Sequence, residues 1–108
     1  MASNIETAKM FNPTTGVSYA VGSIVSRQLT MNNSGNITLF AFDKGQKLSE
    51  HTAPFDAVVQ VIEGCAEIII NKEPHKIEAG EMIVMPANVP HAVNAIEQFK
   101  MLLTMIKG

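Results

Sequence analysis

The feature that most restricts what this chain can become is its punctuation. From residue 21 onward, short runs of β-branched, aromatic and aliphatic residues alternate with turn-forming clusters, and no stretch has the 3.6-residue apolar period of an amphipathic helix. Ile24 to Leu29 reads as a strand, Asn32-Asn33-Ser34-Gly35 as a turn, and Asn36 to Phe42 as a second strand ending at Asp43-Lys44-Gly45. Ala57 to Ile62 and Cys65 to Ile70 flank Glu63-Gly64, which predicts a hairpin turning near Gly64. His75 to Glu78, Glu81 to Met85, His91 to Ile96 and Phe99 to Ile106 follow, separated by Asn71 to Pro74, Ala79-Gly80 and Pro86. About eight to ten short strands spaced roughly ten residues apart predict an all-β sandwich or barrel.

At 108 residues the chain is one domain. Residues 1–20, polar and broken by Asn12-Pro13 and Gly16, read as an N-terminal arm, and residues 21–108 as the barrel. The last strand, FKMLLTMI, is apolar on both faces apart from Lys100 and Thr104, so it lies between two layers or at a subunit contact. Charged residues are only 17% of the chain and there are seven Met, which leaves apolar surface to be covered and predicts a homodimer. The net charge of −2, with basic residues scattered singly, argues against nucleic acid as a partner. No run approaches the roughly 18 apolar residues of a membrane span. Cys65 is the sole cysteine, which rules out an intrachain disulfide or a cysteine-based zinc site. The first residues lack the basic start and apolar run of a secretory leader, and together these features suggest a cytoplasmic setting.

The glycines, prolines and histidines fall into a recognisable pattern. In GQKLSEHTAPFDAVVQVIEG, Gly45 precedes His51 by five intervening residues and the segment closes on Gly64. In GEMIVMPANVPHAVNA, Gly80 leads to Pro86 and then to His91. These anchors resemble the two cupin motifs, G-x5-H-x-H-x(3,4)-E-x6-G and G-x5-P-x-G-x2-H-x3-N. The resemblance implies a single cupin barrel, a double-stranded β-helix or jelly roll. It also implies that His51 and His91 project inward as metal ligands. The family's other two ligand slots hold Ala53 and Ala57, and a methyl group cannot coordinate a cation. Asn88 replaces the motif glycine after Pro86, a mild change because Asn tolerates positive φ. Ala95 replaces the closing Asn.

Two imidazoles alone are a weak site for a divalent transition metal such as Zn, Fe, Ni, Mn or Cu. Asp56, one residue out of phase with the empty Glu slot, is a further candidate ligand if a bulge near Pro54 turns it inward. His75, beside the Asn71–Pro74 turn, is expected to be exposed. Met85, Met101 and Met105 are candidate lining for an apolar binding cavity. Gln60, an amide within AVVQVI, faces outward, serves a subunit contact or touches a ligand. Cys65 has no basic neighbour to make it a reactive thiolate. The expected function is small-molecule binding in a polar His51/His91 pocket with little or no metal. The alternative is a metal-dependent enzyme of the dioxygenase, decarboxylase or isomerase class.

Overall fold

The computed structural model describes residues 5–107, so the first four residues of the arm and Gly108 lie outside the described residues. Eight strands form, with no helix among the described residues: β1 (Ile24–Asn32), β2 (Gly35–Phe42), β3 (Lys47–His51), β4 (Ala57–Ile70), β5 (Glu73–Glu78), β6 (Met82–Met85), β7 (His91–Asn94) and β8 (Phe99–Ile106). Among the described residues no helix is long and apolar enough to cross a membrane. All pairings are antiparallel.

The jelly roll is organised around β4. Ala57 to Gly64 lies between β8 and β6 in one sheet, which continues through β2 to β1. Cys65 to Ile70 lies between β5 and β7 in the other, with β3 beyond β7. The expected hairpin at Gly64 is therefore corrected: the chain does not reverse there but bends from one sheet into the other. A bulge between Val61 and Glu63, together with φ of 76° at Gly64, supplies the bend. The reversal comes later, at Asn71-Lys72, where φ values of 50° and 67° give the twist that joins β4 to β5. Strand β3, absent from the sequence reading, is an edge strand paired among the described residues with β7 alone; Lys47, Ser49, Glu50 and His51 are exposed, and Leu48 packs against the core. Such a strand carries no apolar alternation to betray it.

Residues opposite one another in an antiparallel ladder share a face, so the registers define the interior. Phe42 and Phe99 are opposite each other and stack at 4.6 Å between ring centroids. Val59, Val61, Ile68, Val93 and Met101 complete the fully buried centre. Each such side chain contributes roughly 1.5–3 kcal/mol of burial.

A second, smaller cluster lies on the outer face of the first sheet, where Val17 and Tyr19 of the arm cover Leu39, Ala41 and Leu102. The buried Lys100 ammonium lies under the arm, donating to the carbonyl of Thr14 with Glu63 3.7 Å away. Tyr19 donates its hydroxyl to Glu63 at 2.6 Å, and Arg27 donates to the carbonyl of Gly16 at 2.9 Å. Burial, reinforced by the Glu63 carboxylate, pushes the Tyr19 hydroxyl above its ordinary pKa. Polar contacts at the margin of an apolar patch thus fix where the arm lies.

Candidate functional site

Strands β3 and β7 meet at the end of the second sheet with His51 directly opposite His91, after a bulge between Leu48 and His51. His91 is followed two residues later by the core residue Val93, which places both imidazoles on the inner face. His91 is buried and His51 is exposed, so the pair spans the boundary between interior and solvent.

The two rings lie edge to face, their centroids 4.4 Å apart and their planes at 74°. Their Nε2 atoms approach to 3.2 Å. Each Nδ1 faces a backbone carbonyl, Ser49 at 2.7 Å for His51 and Val89 at 3.2 Å for His91. A carbonyl oxygen only accepts, so both Nδ1 atoms carry the hydrogen. In neutral rings the two Nε2 lone pairs then face one another. A cation between them, whether a proton or a metal ion, removes that repulsion. The fold thus orients each ring through its own backbone neighbour two residues away.

His91 has its pKa held below the ordinary imidazole value, first by burial and then by the adjacent His51, with the Val89 carbonyl opposing. The unfolded chain therefore takes up a proton at His91 before the folded chain does. Its stabilising effect is complete above about pH 6.5 and is lost as pH falls through the depressed folded value. In chelator-treated protein, urea midpoints are expected to fall between neutral and mildly acidic pH, and less steeply in His91→Gln than in wild type. Equal slopes in the two proteins would contradict this.

The other expected site residues are placed as follows. Asp56 accepts a hydrogen bond from the backbone N–H of Ala87 at 2.8 Å, tying the loop after Pro86 to the start of β4. No group of three His, Cys, Asp or Glu able to hold a metal occurs among the described residues, so Asp56 does not join the pair in such a cluster. Ala53 is half-buried and its carbonyl accepts from the Asn88 N–H at 2.7 Å, with Asn88 at a φ of 64°, the conformation for which Asn substitutes well for glycine. Ala57 is buried on the inner face opposite Met85 and Met105. Met85 and Met101 are packed within the main core, and Met105 is partly buried against it. Gln60 lies on the opposite face of β4, in the outer row between Leu102 and Met82.

His75 departs from its expected exposure: it is half-buried opposite the core residue Ile68. The registers also draw one row across the second sheet, Glu73–Ile70–His91–His51. Ile70 and Glu73 thereby share the inner face with the pair, a placement visible only once strand register is known. Cys65 lines a separate groove of about 340 Å³ with Glu67, Lys76 and Ile96 at the other end of that sheet.

An all-β jelly roll whose inner face ends in an imidazole pair defines the class, and comparison with known proteins defines the family. The cupin domain model matches residues 38–107, and the chain belongs to the cupin family. A crystal structure of a conserved protein of unknown function from Streptococcus pyogenes is 41% identical; the match covers 100% of this chain and 96% of that one, with a TM-score of 0.93. A cupin 2 conserved barrel domain protein from Leptotrichia buccalis is 42% identical over 90% of this chain, with a TM-score of 0.87. The match covers 47% of that protein, so this chain spans about half its length. Salicylate 1,2-dioxygenase from Pseudoaminobacter salicylatoxidans, at 21% identity over 86% of this chain and 28% of its own, shares the fold with a TM-score of 0.73. No curated protein matches the chain.

Proposed function

We propose that this cupin binds a small organic molecule at the His51–His91 pair, through a cation held between the two imidazoles. The observation that carries the reading is the 3.2 Å approach of two Nε2 atoms whose Nδ1 hydrogens are already engaged. Two nitrogens bound at about 2.0–2.1 Å to one tetrahedral ion lie about 3.3–3.4 Å apart, so the pair fits two positions of a transition metal. It fits no more than two, because Ala53 and Ala57 occupy the other family ligand positions. A metal bound here would polarise a carboxylate or hydroxyl of the ligand, which would complete the coordination together with water. A metal-dependent enzyme of the dioxygenase, decarboxylase or isomerase class is the second reading, favoured by the nitrogen spacing.

Zinc and nickel titrations of untagged protein test the site. The ion is expected to bind weakly, to be removed by chelator or mild acid, and to lose at least about tenfold in affinity in His51→Ala or His91→Ala. Small carboxylates are expected to raise the thermal midpoint of wild type and not of either variant. An ion that survives chelation and acid would require a further protein ligand. Affinity unchanged in both variants would move the site elsewhere.

A further inference from the structure

The stretch that delivers His91 to its place is a loop, Pro86 to Pro90, that lies outside the strands. Two of its five residues are proline and lack an N–H, so its backbone has three donors to place. Val89 uses one locally, on the carbonyl of Pro86 at 3.4 Å. The other two cross to the segment that leaves His51: Asn88 donates to the carbonyl of Ala53 at 2.7 Å, and Ala87 to Oδ1 of Asp56 at 2.8 Å. That segment joins β3 to β4 and also lies outside the strands. The backbone of Asp56 is itself anchored, its carbonyl accepting from the N–H of Ile106 in β8 at 3.3 Å. Each histidine thus stands where a strand meets a loop, His51 ending β3 and His91 opening β7, and the two loops are tied together at two points. One tie is backbone to backbone. The other is the Asp56 side chain.

Two neutral imidazoles whose Nε2 atoms lie 3.2 Å apart have an alternative to binding a cation. If one ring carries its hydrogen on Nε2 instead of Nδ1, it donates to the other ring and the pair closes as a histidine–histidine hydrogen bond. The ring that switches must give up its backbone carbonyl. For His51 that carbonyl is Ser49, within β3 and 2.7 Å away; for His91 it is Val89, in the loop and 3.2 Å away. The Val89 contact is the longer, so His91 is the ring that would switch, and the position of the loop decides whether it does. We infer that Asp56 is a positioning residue for the site: by holding the N–H of Ala87 it fixes the loop so that Val89 keeps the His91 hydrogen on Nδ1. Both Nε2 lone pairs then stay open to a cation. The consequence for binding rests on the cation-binding reading proposed above, whereas the effect on the tautomer rests on the loop geometry alone. An acceptor oxygen is all that the tie requires, which separates this role from that of a metal ligand, where the ionised carboxylate itself is used.

Imidazole nitrogen NMR shifts of the metal-free protein at about pH 8.5, where ordinary imidazoles are neutral, read the tautomers directly. Wild type is expected to carry the hydrogen on Nδ1 in both rings. Asp56→Ala is expected to move His91 substantially onto Nε2 and to lower zinc affinity about tenfold, the lower end of what losing an orienting partner costs. Asp56→Asn keeps the acceptor and loses the charge, and is expected to restore the wild-type tautomer and affinity. Asp56 is exposed, so both variants are expected to unfold in urea as cooperatively as wild type. Asp43→Ala is the control for a merely structural loss. Asp43 also accepts from a backbone N–H, that of Gly22 at 2.7 Å, on a turn that carries neither histidine, so its removal is expected to leave the tautomers unchanged. Unchanged His91 shifts in Asp56→Ala overturn the inference, as does a wild type whose His91 already carries its hydrogen on Nε2. So does an Asp56→Asn as damaging to zinc binding as Asp56→Ala, which would make the carboxylate a direct ligand. A wild type that binds no zinc would sink the cation-binding reading by itself, and the His91 tautomer in Asp56→Ala would still decide the role of Asp56.

Discussion

Replacing Gly64 with alanine is expected to destabilise the barrel by about 4 kcal/mol, a third or more of the stability of an ordinary small domain. Two costs combine. The residue sits at a φ of 76°, where an L side chain is strained by about 1–3 kcal/mol. A Cβ built there would also overlap the backbone carbonyl oxygen of Gln98 and crowd Cα and Cβ of Phe99, at 3.0 and 3.1 Å. Backbone and a stacked core ring cannot yield cheaply, and relieving such overpacking costs a further 1–3 kcal/mol or so. Gly80 is the control. Its φ of 92° is equally unusual, but a Cβ there meets nothing within 4 Å, so Gly80→Ala carries only the conformational cost of about 1–2 kcal/mol. Urea midpoints for the two variants measure the difference directly. Equal losses would mean that β4 does not pass β8 as closely as described.

That contrast also marks where the sequence was readable. Turns announce themselves locally, and Asn32 to Gly35, Asn71 and Pro86 lie where their residue types place them. The last strand ends at the expected residues because its β-forming run is unbroken. At Gly64 the same logic misleads, since the glycine answers to Gln98 and Phe99, more than thirty residues away, and not to a local reversal. β3 was illegible for the opposite reason: an exposed edge needs no apolar pattern. In the site, the motif spacing singles out His51 and His91, which the structure sets opposite one another, whereas Gln60, a candidate for the pocket lining, lies on the face of β4 away from Ala57. The engagement of Asp56 by the N–H of Ala87 was not readable, because a carboxylate's backbone partner across 31 residues leaves no trace in composition or spacing. Nor were the carbonyls that fix the two Nδ1 hydrogens, although their i−2 spacing on both strands is a local feature of how these histidines are presented.

Restoring the missing ligands by Ala53→His with Ala57→Glu is expected to raise transition-metal affinity by at least about a hundredfold, roughly tenfold for each ligand added. Both positions bear on the pair. Ala57 faces inward with His91, and Ala53 sits on the segment joining β3 to β4, held by Asn88 from the loop that leads to β7. A set of three imidazoles and one carboxylate meets the coordination demand that two imidazoles leave open. The metal-free double variant is expected to be less stable than wild type, because Ala57 is 3% exposed between Met85 and Met105 and a carboxylate there is both oversized and desolvated. The combined loss is roughly 2–4 kcal/mol. Metal should return most of it, since an ion at a hundredfold excess over its dissociation constant stabilises by about 2.7 kcal/mol. Thermal unfolding with and without zinc, beside a direct titration, reads both effects on one sample. A variant that is destabilised, folded and still indifferent to zinc would show that positions 53 and 57 do not converge on the pair.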